Sequence, residues 1–388
     1  MKILAVLCQD PFTHIDGGTY GIRATLHQLS DKGDLYVAGY GESFNHSMVG
    51  GFRSAGSLGE VHNSRLEFLK ALAVGRSYSV EKYSSREAKT RFAEIVAKGN
   101  YSVLWFDKLL ATPAGYYTRE KWQMPAGPRS VLRAHNIEHR LIHARFASNN
   151  PLVNYLLHVE AERLKKYELK VIEFVDQVFT LSSKDCEMLT EMRPNLTSRV
   201  DFLPLPVKET QGGEVRFDDK RETILFVGDC RWRPNLLAIE WIVEKLADAL
   251  LEACPDLRIR LVGRGTDQFE KARPNIEGAG FVDDMEGEYP PALCTIAPIR
   301  TGSGMNAKVI ESLQHGIPVV GTQFARRGID SDAFLEAESA AEFVQRIAAL
   351  RDDPAGLRAL SLTARESALE AGRRFDEIWH AFRRRMNS

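Results

Sequence analysis

The chain is poor in cysteine and has no pattern among the few it carries. Five cysteines (Cys8, Cys186, Cys230, Cys254 and Cys294) are scattered over 388 residues, mostly in apolar, strand-like or helical contexts. None forms a C-x-x-C pair, so neither a disulfide framework nor a zinc ribbon is expected, and the thiols read as reduced. Long apolar runs are missing as well. No stretch approaches the roughly 18 consecutive apolar residues that a bilayer-spanning helix needs. The opening segment KILAVLC runs straight into DPF and is too short for a secretory signal. An excess of either charge is also absent: 51 basic residues face 52 acidic ones, a net −1 that argues against a dedicated nucleic-acid binder. Internal repeats and low-complexity tracts do not occur. These absences point to a cytoplasmic protein. Contact with the inner face of the cell membrane stays open.

What the chain does have is the composition of a packed protein, 44% apolar and 27% charged. At this length two domains are expected rather than one core. In the first half, short apolar runs fall at residues 2–8, 34–39, 102–107, 130–134 and 177–182, and helical patterns separate several of them, the longest from about 154 to 175. Strands that alternate with helices predict a parallel sheet covered on both faces. A polar segment, residues 208–221, interrupts the pattern and reads as a linker. The alternation then restarts with TILFVG (223–228), RIRLVG (258–263), CTIAPI (294–299) and IPVVGT (317–322). Two doubly wound units of this kind bind ligands at the carboxyl ends of their strands.

The most informative stretch is TGSGMNAKVIESLQHGIPVV, residues 301–320. It predicts a strand end, a glycine turn, one helix and the next strand. A helix N-terminus presents unpaired N–H groups and partial positive charge, which suits a phosphate. Gly302 and Gly304, flanking Ser303, carry no β-carbon that would hold a ligand away. Lys308 adds a mobile cation, and Glu311 lies one turn further along the same face. A carboxylate there accepts two hydroxyl hydrogen bonds, as a ribose diol offers. The unit reads as a holder for a nucleoside diphosphate. The plainer alternative is an ordinary glycine turn followed by a surface Lys–Glu pair.

Several segments resemble the retaining glycosyltransferases of the GT-B fold, in the family 4 group that builds bacterial surface polysaccharides. In the second half these are ILFVGDCRWRPNLLAIEW (224–241), LVGRG (261–265), GFVDDMEGEYPPA (280–292) and APIRTGSGMNAKVIESLQHGIPVVGT (297–322). In the first half they are DGGTYGIRATLHQLS (16–30), LRAHNIEHRL (132–141) and VFTLSSKDCEML (178–189). The resemblance implies an α/β protein with two Rossmann-like doubly wound domains facing a cleft. Residues 1–207 would bind the acceptor, 222–372 the nucleotide sugar, and 373–388 would be a helix that packs back across. It also implies roles. Glu311 would bind the ribose; Lys308, the turn of Gly302, Ser303 and Gly304, and either Arg231 or Arg233 would bind the diphosphate. The backbone near Phe281 and Val282 would meet the base, Gly17 and Gly18 would let the phosphate and sugar approach, and His135 would contact the donor sugar near its anomeric centre. Lys308, Arg231 and His135 would be the groups acting on the reaction. No cofactor or metal is implied beyond the nucleoside-diphosphate sugar itself, with UDP or GDP the favoured nucleotide. The acceptor would be a glycan, a lipid-linked oligosaccharide or a small molecule.

One departure from that pattern matters. Many members place a second glutamate eight positions before the ribose-binding one, and here that position is Ser303. This keeps two alternatives open, an isomerase acting on the nucleotide sugar and an inactive sugar-nucleotide-binding partner. Tyr78, Lys82 and Tyr83 stand among several basic residues and are candidate acceptor contacts, although a solvated face explains them as well. The stripe of Phe375, Ile378, Trp379, Phe382 and Met386 reads as core, with a membrane-surface role second. HNIEH (135–139) fits the inverted zinc-peptidase pattern, but His135 directly follows a predicted strand, so the two imidazoles are expected to diverge.

Overall fold

A computed structural model describes the chain apart from residues 14–16, 62, 122, 124–126, 147–149, 204–220, 284, 302–305 and 388. Two compact units result: Met1–Pro204 together with His380–Ser388, and Leu205–Trp379. All of the expected linker except Arg221 lies outside the described residues.

The first unit holds β1 (Lys2–Leu7), β2 (Asp34–Gly39), β3 (Met48–Val49), β4 (Phe52–Ser57), β5 (Val103–Asp107), β6 (Arg129–Ala134), β7 (Gln177–Thr180) and β8 (Val200–Phe202). Their order in the sheet is β3-β4-β2-β1-β5-β6-β7-β8, parallel except for the β3–β4 pair. Ile3 to Leu7 are completely buried, as a central parallel strand with helices on both faces requires. The helix Pro151–Phe174 shows how sequence sets the surrounding layer. Asn150 caps it by accepting from the Leu152 N–H at 2.9 Å, and Pro151 occupies the first turn, where its missing N–H costs nothing. Its buried residues recur at helical spacing, and Ala161, Leu164, Val171 and Ile172 among them join the core of the first unit.

The second unit holds β9 (Thr223–Val227), β10 (Arg258–Val262), β11 (Ile276–Gly280), β12 (Ala292–Ala297), β13 (Val319–Gly321) and β14 (Phe334–Glu336). They are ordered β11-β10-β9-β12-β13-β14, and each pairing is parallel. The order reverses between β9 and β12, which makes their carboxyl ends the topological switch point where such sheets take ligands. Gly263 shows how tightly that edge is built. A β-carbon there would lie 2.2 Å from the Gly228 carbonyl oxygen, and its φ of +137° is one that side chains avoid.

The longer runs expected as strands all form. The strands β3, β4, β8, β11 and β14 were not expected. FRSAGS in β4 and IEGAG in β11 mix glycine with polar residues, and β8 and β14 have three residues each. β3, β8, β11 and β14 are the four edge strands, each with one neighbour, and β4 lies next to one of them, where burial on both faces is not demanded of the sequence. The C-terminal helix is longer than residues 373–388, running Pro354–Asn387. It belongs to the second unit through Trp379 and to the first from His380 onward. Phe375, Trp379 and Phe382 are buried, and the Phe382 ring meets Phe179 edge-on at 5.7 Å. That part of the stripe is core.

Candidate active site

In the second unit the helix Ala307–Gln314 starts after the carboxyl end of β12. Ala307, Val309, Ile310 and Leu313 bury its inner face, and the Ser312 hydroxyl fastens it to Thr295 of β12 at 2.8 Å. That orientation turns Lys308 and Glu311, three residues apart, onto the opposite face. Gly316, with φ +68°, ends the helix in a left-handed turn.

Lys308 is not the mobile cation expected from the sequence. Its Nζ donates to Asn235 Oδ1 at 2.8 Å and lies 4.4 Å from the centre of the Phe226 ring. Asn235 in turn donates to the Asp229 carbonyl at 3.1 Å, so the amine is tied to the loop that follows β9. Burial pushes the Lys308 amine down to about 7, with Glu311 acting the other way. Burial likewise pushes Glu311 up to about 7, against the pull of the Tyr289 hydroxyl and Lys308. Tyr289 donates to Glu311 Oε2 at 2.9 Å. The Tyr289 ring is 2% exposed and stacks on His315, 4.3 Å between centres and 7° from parallel.

Around this helix lie the other second-unit candidates. Arg231 is chelated by Asp229, its Nε 3.0 Å from both carboxylate oxygens. Arg233 is the exposed first residue of the helix Arg233–Trp241. Phe281 is half exposed at the end of β11, with the Arg264 guanidinium over its ring at 5.0 Å. Val282 packs on a small apolar cluster with Leu225, Val262, Tyr289 and Ile317. Gly302, Ser303 and Gly304 lie outside the described residues.

In the first unit, Gly17 and Gly18 open the helix Gly17–Lys32, which follows β1. His135 directly follows β6. The register pairs Asp107 of β5 with Arg133, so Asp107, Arg133 and His135 share one face of the sheet. His135 Nε2 lies 2.6 Å from Asp107 Oδ1, and the Trp105 indole donates to Asp107 Oδ2 at 3.1 Å. Burial works against ionisation of Asp107. The charges and hydrogen bonds of His135, together with Arg133 and Trp105, outweigh it and hold the carboxyl below its usual range. Burial pushes the His135 imidazole down, past the opposing pull of Asp107.

His139 does not join His135. Its Nδ1 lies 2.5 Å from Glu168 Oε2, and the same carboxylate takes the Glu138 N–H at 2.9 Å, capping the helix Glu138–Phe146. The two imidazoles of HNIEH are thus committed to different carboxylates. Among the described residues, no three His, Cys, Asp or Glu side chains gather into a group that could hold a metal ion. The acceptor candidates also need one correction. Tyr83 is buried edge-on against Tyr40 and belongs to the core. Tyr78 bonds Asn63 at 2.8 Å, and Lys82 lies over the Tyr83 ring.

Residues 221–353 match the family described as glycosyl transferases group 1. Sucrose-phosphate synthase from Thermosynechococcus elongatus aligns over 99% of both chains with a TM-score of 0.68 at 16% identity. Anabaena HepE in complex with UDP-glucose aligns over 98% of this chain and 100% of its own, with a TM-score of 0.62 at 13% identity. A curated Klebsiella pneumoniae protein, named an uncharacterized 44.6 kDa protein in a cps region, is 22% identical over 84% of each chain. The second unit therefore carries a segment similar to the group 1 glycosyltransferases, and the chain shares the two-sheet GT-B fold of these solved structures.

Asp107, Asn235, Tyr289 and Glu168 escaped the reading of the sequence. Asp107 left one usable signal, an acid that ends the buried run VLWFD. The other three lie on helices or turns where their residue types are ordinary.

Proposed function

We propose that the chain transfers a sugar from a nucleoside-diphosphate sugar to a hydroxyl acceptor, with retention of configuration and without a metal ion, in polysaccharide synthesis. The observation that carries this reading is the pairing of Lys308 and Glu311 on one face of the helix after β12, beside the β9–β12 switch point. The relative from a capsule (cps) region supports the pathway, and the HepE likeness supports a uridine nucleotide.

The leaving nucleoside diphosphate gains negative charge as the glycosidic bond breaks. Groups that favour that charge more in the transition state than in the ground state accelerate the step. Lys308 fits this role because a desolvated amine near neutrality gains a proton readily when an anion arrives. Glu311 takes the ribose hydroxyls. Arg231 and Arg233 flank the start of the helix after β9, and one of them supplies a second cation. His135 takes the donor-sugar contact that the resemblance implies. The anomeric carbon becomes oxocarbenium-like, and the acceptor hydroxyl attacks on the face from which the phosphate departs.

A thermal-shift screen against UDP, GDP, ADP and their sugars tests the site. A ligand at 100 times its Kd stabilises by about 2.7 kcal/mol. Product analysis with and without acceptor then tests the reaction. Sugar transfer that survives EDTA is the expected result. Conversion of the donor without acceptor identifies an isomerase, binding without turnover a partner protein, and activity lost to EDTA and restored by manganese a metal-dependent enzyme.

A further inference from the structure

We propose that Tyr289 is a positioning residue for ribose recognition: its hydroxyl holds Glu311 Oε2, leaving the rest of the carboxylate to accept the two hydroxyls of a ribonucleotide. This rests on the reading of Glu311 given above and narrows it to donors that carry an intact ribose.

Three observations place Tyr289 in that role. The first is the 2.9 Å hydrogen bond from its hydroxyl to Oε2. The second is how the ring is fixed. It is buried among Leu225, Val262, Ala292 and Ile317, and its backbone is held in the turn before β12, where the Ala292 N–H donates to the Tyr289 carbonyl at 2.9 Å. The third is the His315 ring stacked against it, one turn beyond Glu311, with Glu286 3.7 Å from the imidazole. The ring is therefore clamped between the helix end and the turn, and the hydroxyl it presents to Glu311 has a fixed position.

The chemistry gives that fixed donor a purpose. An ionised carboxylate has about four acceptor positions, and a vicinal diol needs two of them. A protonated carboxyl spends one oxygen as a donor and cannot hold both hydroxyls in the same way. Burial and Glu286 favour the protonated form of Glu311, whereas Tyr289 and Lys308 favour the ionised form. Tyr289 thus does two things for the site. It fixes the carboxylate rotamer, and it helps keep the group an acceptor.

The test is calorimetric titration of wild type and Tyr289→Phe with the nucleoside diphosphate that wild type binds and with its 2′-deoxy form. Tyr289→Phe keeps the ring and its stacking on His315. Its Kd for the ribonucleotide should rise about tenfold, the scale of one hydrogen bond to a charged group. Its preference for ribo over deoxy should shrink, and the pH below which affinity falls should move upward. In a Glu311→Gln background the same change should cost little more, which a merely structural tyrosine would not show. An unchanged Kd, ribose preference and pH profile in Tyr289→Phe would overturn the proposal while leaving the site reading intact. A wild type that binds no nucleoside diphosphate would overturn the site reading itself. Should Tyr289→Phe fold poorly, His315→Leu, which removes only the stacking partner, should lower ribose preference in the same direction; an unaltered preference there contradicts the clamp.

Discussion

Asp107 and Glu311 are both carboxylates near the carboxyl edge of a parallel sheet, each with a cation and a hydrogen-bond donor at hand. Their surroundings drive them in opposite directions. Asp107 is completely buried, yet its carboxyl is held below the usual range because the His135 imidazole at 2.6 Å, the Arg133 guanidinium and the Trp105 indole N–H offset burial. Glu311 has one tyrosine hydroxyl and a lysine that burial itself pushes down to about 7, and its carboxyl rises to about 7. The difference shows how surroundings decide whether the charge of a buried carboxylate is met within the protein. Where the protein supplies enough donors to offset desolvation, the charge is settled and nothing further is needed. Where it leaves the balance short, a ligand with hydroxyls and phosphates can complete it.

The largest expected effect lies on the settled side. Asp107→Asn removes the countercharge beside buried Arg133 and should destabilise the first unit by about 3–5 kcal/mol, measured by urea unfolding. The pH dependence follows from the lowered pKa of Asp107. Its contribution is complete above the unfolded carboxyl value of about 3.9 and is lost as pH falls through the lower folded value. A variant as stable as wild type would mean that Arg133 is compensated elsewhere and that the contrast is overdrawn.

On the unsettled side, Lys308→Ala should leave the second unit folded and lower kcat by about 10²–10³, the cost of removing one preorganised charge from a leaving group. A rise in KM with kcat unchanged would show instead that Lys308 binds ground and transition states equally.

The smallest effect is the most diagnostic of poise. With both groups near 7, the bound diphosphate should draw a proton onto Lys308 while the ribose drives one off Glu311. At pH 7.5, titrations in buffers of different ionisation enthalpy should therefore separate two variants. Glu311→Gln should show net proton uptake and Lys308→Met net release, each less than about one proton. Identical proton counts in the two variants would mean that neither group changes protonation on binding.

The sequence revealed the frame of this molecule better than its fastenings. Runs such as ILAVL in β1 and ILFV in β9 are apolar at every position because both sheet faces are covered, so they stand out without any structure. Lys308 and Glu311 were equally legible, since their spacing alone places them on one helical face. Asn235, Tyr289 and Asp107 were not. Each reaches its partner across 22 to 73 residues or from the neighbouring strand, as in Tyr289 to Glu311 and Asn235 to Lys308. Local periodicity carries no record of such pairings. The expectation of a mobile Lys308 failed for the same reason: helical spacing sets which face a side chain takes but not what that face meets. Tyr83 shows the converse. Its basic neighbours suggested a surface, while its ring packs against Tyr40.

The central claim is that the helix Ala307–Gln314 holds a nucleoside diphosphate through Glu311 on the ribose and Lys308 on the phosphates. Calorimetric titration of wild type and Glu311→Ala with UDP and GDP, each variant checked for unchanged Tm, tests it most directly. The account predicts that one nucleotide binds wild type and that Glu311→Ala weakens it by about 1.5–3 kcal/mol, the scale of hydrogen bonds to a charged group. Equal affinity in the two proteins would contradict it.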